Sequence, residues 1–253
     1  MIPGNGLFVT ATDTGVGKTV VTAGLVRSLR KKGFRIGVMK PMQSGHLRTD
    51  PEGDGMRLKN WTESQTPIDR IVPYSWSLPV APGLAAYLAG ESVDIDWLLQ
   101  EIHMMVQIND GLLIEGAGGW LVPIGNGWTI ADFAAAIGWP TLVVARPGLG
   151  TVNHTALTVA AIRQRGLSVT GVVINGSKPE DPSPDLPYNA QLIEEVADVP
   201  VLGTIPWLGD TWSPKELEET ILSHLNLTPI LHLWNRKEEI AHDHLGTSDP
   251  TSS

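Results

Sequence analysis

The chain has 253 residues, of which 42% are hydrophobic and 18% charged, and a formal net charge of -9. That length fits one large α/β domain or at most two small ones, and the acidic balance speaks against nucleic acid or an anionic membrane surface, because both need clustered lysine and arginine. The chain has no cysteine, which excludes disulfides, thiolate metal sites and cysteine nucleophiles.

The N-terminal residues lack a charged start followed by a long apolar run, and no apolar stretch reaches the roughly 18 residues that span a bilayer. The expectation is a cytoplasmic protein. Leu7–Thr10 opens a series of short Val-, Ile- and Leu-rich runs that continues with Ile36–Lys40, Leu112–Glu115, Thr141–Ala145, Val169–Ile174 and Val201–Ile205. They do not alternate strictly with polar residues, as expected of strands covered on both faces. Arg70–Tyr74 is a further candidate strand. Between them, Val20–Lys32 carries Val21, Leu25 and Leu29 at helical spacing and stops at Gly33. Asp94–Ile108, Thr129–Ile137, Asn153–Arg165 and Leu186–Val196 read as helices in the same way. Strands alternating with helices predict an open, mostly parallel β-sheet with helices on both faces, whose ligands sit beyond the carboxyl ends of the strands. Residues 1–241 are expected to form one such α/β domain. Lys178–Pro187 reads as a surface loop, and the polar stretch 242–253 as a disordered tail. The apolar residues from Ile230 to Trp234 are expected to pack on the sheet, since too few basic residues accompany them for a membrane-surface helix.

The strongest chemical signal is Thr12-Asp13-Thr14-Gly15-Val16-Gly17-Lys18-Thr19, between the first strand and the first helix. Glycines there let backbone N–H groups turn inward onto phosphate oxygens, and the helix N-terminus adds its positive dipole end. Lys18 supplies a point charge for the outer phosphates, and the Thr19 hydroxyl is placed to reach a nucleotide-bound Mg²⁺. Thr12 stands where the usual loop has glycine. A Gly-rich turn capping a helix would explain this segment alone. The second signal, Glu115-Gly116-Ala117-Gly118-Gly119, follows a strand and offers a carboxylate for the same metal; alone it reads as a common turn, and its weight comes from its pairing with the phosphate loop. Lys40-Pro41-Met42-Gln43-Ser44-Gly45 puts a lysine at another strand end, where it can stabilise developing negative charge, although a solvated strand-end lysine is the commoner case. Asp54 precedes an apparent helix and reads equally well as its N-cap.

In order along the chain, these segments resemble the dethiobiotin synthetase family. That family shows a T-D-T-x-V-G-K-T loop, a K-P-x-x-S-G segment, an aspartate before the next helix, and E-G-A-G-G. Gly148–His154, Asn175 and Gly203–Leu208 are similar to further family segments, so the resemblance runs from about Leu7 to Leu208. Gly15 stands where many members carry glutamate. The resemblance implies ATP- and Mg²⁺-dependent carboxylation of 7,8-diaminononanoate with CO₂, and closure of the cyclic urea through a carbamate and a carbamic–phosphoric anhydride. It implies Lys18 and Lys40 as catalytic groups, and Thr19, Asp54 and Glu115 around the magnesium. Gly15, Val16, Gly17, Lys18, Thr19 and Val20 would hold ATP together with Asp54, Glu115, Gly116, Ala117, Gly118, Asn175, Gly176, Pro206 and Trp207. Thr14 and Ser44 would meet the diamine. Gly150 and Asn153 would reach its tail from a neighbouring subunit, so a homodimer is expected.

Two other readings compete. Partition- or septum-type P-loop ATPases share the first loop, but usually carry an extra early lysine that Ala11-Thr12-Asp13-Thr14 lacks. Glutamine-dependent amide synthetases of the cobalamin pathway need a cysteine-bearing glutaminase domain, for which this chain has neither cysteine nor room.

Overall fold

The structure, a computed structural model, describes residues 2–178 and 183–234. Its strands are β1 (Gly6–Ala11), β2 (Ile36–Met39), β3 (Met42–Ser44), β4 (Tyr74–Trp76), β5 (Gly111–Glu115), β6 (Pro123–Gly125), β7 (Trp128–Thr129), β8 (Thr141–Ala145), β9 (Val169–Ser177) and β10 (Val201–Pro206). The helices are α1 (Lys18–Lys31), α2 (Asp54–Trp61), α3 (Ile68–Ile71), α4 (Pro82–Leu88), α5 (Ile95–Gln107), α6 (Ile130–Ile137), α7 (Thr151–Gln164), α8 (Leu186–Ala197) and α9 (Pro214–His224).

Six strands form one sheet in the order β10-β9-β8-β1-β5-β2, and each neighbouring pair is parallel. Alternate residues of each strand enter opposite layers, as the pleat requires. Leu7 and Val9 of β1 join α1 and α9 in one core, whereas Phe8 joins α5, α6, α7 and α8 in the other. Both faces are therefore covered, which is why the strands read as continuous apolar runs. β1 lies between β5 and β8, so the chain crosses over β5 on its way to β2 and later returns on the far side of β1. That reversal of strand order opens the crevice where open α/β sheets bind ligands.

The five expected helices form within two residues of their predicted ends. Asp94 caps α5 by accepting from Trp97 N–H at 2.9 Å, and Thr129 with Asp132 makes a capping box on α6. The expected strand Arg70–Tyr74 does not form. Pro67 starts a helical turn, its carbonyl accepting from the N–H of Arg70 and of Ile71 at 3.1 Å each. Pro73 has no N–H to give a ladder, and the strand that follows, β4, pairs with β3 in a separate two-stranded sheet. Asp54 is the first residue of α2 rather than its N-cap, which is Gly53. Ile230 and Trp234 are buried against the α1 side of the sheet, which agrees with core packing. Among the described residues no helix is long and apolar enough to cross a membrane. Leu186 and Pro187, where the expected loop and the expected helix overlap, begin α8. Residues 179–182 of that loop and the whole 242–253 stretch lie outside the described residues.

The helix that follows the phosphate loop is held from behind at Gly24. A Cβ there would lie 2.4 Å from Ile221 Cγ1 and 3.2 Å from Leu217 Cδ1 of α9, so only glycine lets α1 and α9 touch. Gly24→Leu should overpack this contact and lower unfolding stability by about 1–3 kcal/mol. Chemical denaturation would measure the loss, and an unchanged midpoint would show that the two helices are not in close contact.

Candidate active site

The loop Thr12–Gly17 leaves β1 and enters α1 through two residues in the left-handed region, Gly15 (φ 76°) and Gly17 (φ 90°). Gly17 is constrained twice, because a Cβ on it would lie 2.1 Å from Asn175 Nδ2. That amide, at the end of β9, donates to Val16 carbonyl at 3.0 Å. Asn175 thus sits against the phosphate loop itself, from the opposite side of the crevice. Lys18 folds back under the loop with Nζ 3.4 Å from Asp13 carbonyl. Burial, and next the positive charge of Lys40, push the Lys18 pKa down to about 8, against the pull of Glu115, Asp54 and Asp13.

Strand register brings the remaining charges together. Val9 of β1 pairs with Glu115 of β5, and Met39 of β2 pairs with Ile114. Lys40, one residue beyond β2, therefore lies beside Glu115. The two are joined at 2.6 Å, and the same ammonium meets Asp54 Oδ2 at 2.6 Å. Glu115 Oε1 also accepts from the Thr19 hydroxyl at 2.9 Å, which ties the group to α1. Lys40 is 3% and Glu115 0% exposed, whereas the Asp54 side chain is 41% exposed, so a buried Lys40–Glu115 pair meets a second, half-exposed carboxylate. Burial would lower the Lys40 pKa, but the charges and hydrogen bonds of Glu115 and Asp54 outweigh it and hold the ammonium above its ordinary 10.5. Burial also raises Asp54, yet Lys40 prevails and keeps that carboxyl below its ordinary 3.8. Glu115 moves the other way, raised by burial and further by Asp54 in spite of Lys40.

Two cavities flank the cluster. One, of about 420 Å³, is lined by Thr14, Lys40, Gln43, Ser44, Asp54 and the turn Pro79–Pro82, with Ala117, Gly118 and Val122 opposite. The other, of about 620 Å³, runs along Val20, Asn175, Gly176, Pro206 and Trp207. Ala117 and Gly118, expected beside the nucleotide, thus face the cavity that holds Thr14 and Ser44. Gly116 is buried behind them, its N–H donating to Val9 carbonyl at 2.9 Å. Gly150 and Asn153 line neither cavity. They stand at the N-terminus of α7, next to Leu149, which is 82% exposed. Several lining residues escaped the sequence reading. Trp61, Trp212 and Arg57 wall the larger cavity, with Trp61 and Trp212 in ring contact at 4.6 Å. Three of the nine tryptophans therefore line that one cleft. Nothing in their spacing could have revealed it. For Gln43 the only signal was its position between Lys40 and Ser44.

The donor set fits a nucleotide-bound Mg²⁺. Glu115 Oε2 is buried and has no hydrogen-bond partner among the described residues. Such an atom is costly unless something else engages it. Together with Asp54 and the Thr19 hydroxyl it offers hard oxygens at the mouth of the phosphate loop. No group of three or more His, Asp or Glu side chains forms a metal cage among the described residues. A magnesium shared with phosphates needs only one or two carboxylates.

A family model described as an AAA domain matches residues 5–215. The chain is 40% identical over 238 residues to the ATP-dependent dethiobiotin synthetase BioD of Bacillus thuringiensis (strain Al Hakam), which covers 94% of this chain and 98% of that one. It is 46% identical over 205 residues to the BioD of Anaeromyxobacter dehalogenans, covering 81% and 91%. Among solved structures it is similar to the MinC:MinD cell division protein complex of Aquifex aeolicus, with a TM-score of 0.55, 16% identity and 99% coverage of both chains. The ParA family ATPase of Chlorobium tepidum gives a TM-score of 0.53 at 12% identity, over 90% of this chain and 93% of that one. At such identities these two share the fold alone, an open sheet of the P-loop type, whereas the sequence relatives match nearly end to end. The chain belongs to the ATP-dependent dethiobiotin synthetase family.

Proposed function

We propose that this protein is a dethiobiotin synthetase acting in biotin biosynthesis, which carboxylates 7,8-diaminononanoate with CO₂ and closes the cyclic urea at the expense of ATP. The observation that carries the reading is the buried Lys40 ammonium, held by Asp54 and Glu115 at the mouth of the phosphate loop. Its third N–H has no partner among the described residues, and Lys40 lines the smaller cavity. In the reaction one amine of the substrate attacks CO₂, giving a carbamate and releasing a proton. A carbamate oxygen attacks the γ-phosphorus of ATP, and ADP leaves. The second amine then attacks the carbamoyl carbon, expelling phosphate as the ring closes.

Each residue has a part in that sequence. The loop N–H groups and Lys18 hold the phosphates, and the larger cavity takes the nucleoside between Asn175, Gly176, Pro206 and Trp207. Thr14 and Ser44 bind the diamine end, and the apolar turn Pro79–Pro82 lies along its chain. Lys40 donates to the carbamate and the transferring phosphoryl, where charge shifts most. Phosphoryl transfer asks the protein for positioning and charge neutralisation rather than covalent help. Thr19, Asp54 and Glu115 would hold Mg²⁺, which when bound neutralises phosphate charge. The protein acts in the cytoplasm as a homodimer, Gly150 and Asn153 serving the substrate tail in the partner's site, and residues 1–241 act as one domain. Small molecules are its partners, with no role for nucleic acid or membrane. The direct test is mass-spectrometric detection of dethiobiotin from the diamine, bicarbonate, ATP and Mg²⁺. Run on fractions from a sizing column, it should find activity at the dimer position. No product, or full activity in a stable monomer, would contradict the corresponding part.

Lys40→Ala should lower turnover on the order of 10²–10³-fold, the usual result of losing one preorganised donor to a developing charge. ATP affinity should fall much less, because Lys18 and the loop remain, whereas Lys18→Ala should impair nucleotide binding as well. A loss under about threefold in turnover for Lys40→Ala would assign it to structure alone.

Nucleotide binding should depend on pH through Lys18. With its pKa near 8 in the free protein, the ammonium is largely charged at pH 7 and mostly neutral at pH 9. Bound phosphates favour the charged form, so binding takes up protons and ATP affinity falls as pH rises through 8. Calorimetry in buffers of different ionisation enthalpy measures that uptake. Affinity that stays flat from pH 7 to 9.5 would contradict it.

A further inference from the structure

We infer that Gln43 is a positioning residue for the metal-binding carboxylate, acting through the backbone at the start of α2. The inference rests on the reading of Asp54 as a magnesium ligand. Gln43 is 2% exposed and uses both ends of its amide. Oε1 accepts from Gly55 N–H at 2.7 Å. Nε2 donates to His46 carbonyl at 2.9 Å and Leu47 carbonyl at 3.3 Å. One side chain thus grips both ends of the connection from β3 to α2.

Its place in the chain gives this grip a consequence. Gln43 lies three residues after Lys40, and Gly55 is the residue after Asp54. The two partners of the 2.6 Å ion pair are therefore linked a second time through the Gln43 amide. The backbone of α2 rests directly on it. A Cβ at Gly53 would lie 2.6 Å from Gln43 Nε2, and one at Gly55 would lie 3.2 Å from Gln43 Oε1 and 2.1 Å from Val72 Cγ2. α2 needs such an anchor, since within it only Gly55 and Leu58 are buried and Gly53 provides no side-chain cap. The first turn of a helix has N–H groups without intrahelical partners. At Gly55 the partner is Gln43, reached from another strand rather than from a neighbouring cap. Removing the amide would leave Asp54 attached through its contact with Lys40 and free to swing with the helix start. The carboxylate would then be offered to the metal in many geometries instead of one.

The test uses Gln43→Met, close in length and apolar, on the full chain. Mg²⁺ is titrated calorimetrically into the enzyme holding a non-hydrolysable ATP analogue, and hydrogen exchange follows the Gly55 amide. The expected result is a 5- to 20-fold weaker Mg²⁺ affinity, faster exchange at Gly55, and analogue affinity in the absence of metal altered less than threefold. A residue with a merely structural role would lower the melting temperature and leave Mg²⁺ affinity of the folded protein unchanged, and that result overturns the inference. Should the methionine variant fail to fold, Gln43→Ala admits water to the vacated polar groups and carries the same expectation at the lower end of the range. Asp54→Asn, measured in parallel, separates the two claims. If it leaves Mg²⁺ affinity unchanged, the metal reading of Asp54 fails. If it weakens binding while Gln43→Met does not, only the inference about Gln43 fails.

Discussion

Lys40 and Glu115 form an ion pair that water scarcely reaches, Asp54 meets the same ammonium from the cavity side, and the rest of the site is arranged around these contacts. Lys40 touches Asp54 and Glu115 at 2.6 Å each, while one oxygen of Glu115 stays unpartnered among the described residues. A buried ion pair is a poor source of stability, because desolvating the charges offsets most of their attraction. Here the orphan oxygen of Glu115 calls for a further partner, which on the proposed reading is a cation. Lys18 lies nearby, its pKa lowered by burial and by Lys40, and its Nζ is 3.4 Å from Asp13 carbonyl. On the proposed reading, a nucleotide arriving with magnesium would bring positive charge to the carboxylates and negative charge to the lysines together. The empty site thus leaves one buried carboxylate oxygen unsatisfied among the described residues, and the proposed ligand would satisfy it.

Strand order makes the cluster possible. β5 is inserted between β1 and β2, so Glu115 has the phosphate loop on one side and Lys40 on the other. Residues 75 positions apart in sequence become hydrogen-bond partners through one register. The bond from Asn175 to Val16 does the same on the far side of β1, where β9 reaches over β8. Ends of strands that the chain visits early and late therefore meet at the crevice, and loops such as the one through Leu208 and Trp212 complete its walls.

That arrangement also explains what could be read in advance. The six strands of the main sheet were legible because both faces are buried, leaving unbroken apolar runs such as Leu112–Ile114. Lys18, Thr19, Lys40 and Glu115 were legible as strand-end and loop groups, although their pairing depends on a strand order that no local pattern encodes. α2 offers only Leu58 as a buried apolar side chain, too little for a helical period, so just its start was visible, through Asp54. Arg70–Tyr74 looked like a strand because Ile71 and Val72 are apolar, and the two prolines around them decided otherwise. Gln43 and the Trp61–Trp212 wall were illegible for one shared reason. Their meaning lies in which backbone carbonyl or ring they meet across the fold, and sequence spacing carries no trace of it.

The charge state of Lys40 tests this account most directly. Nitrogen-detected NMR of lysine side chains, assigned by Lys40→Arg, follows that ammonium through a pH titration of the ligand-free protein. The account predicts that it remains protonated where an ordinary lysine, with a pKa of about 10.4, is half neutral, because Glu115 and Asp54 hold its proton. A Lys40 that loses its proton at or below that pH would mean the carboxylates do not share it, and the organisation of the site proposed around it would fail.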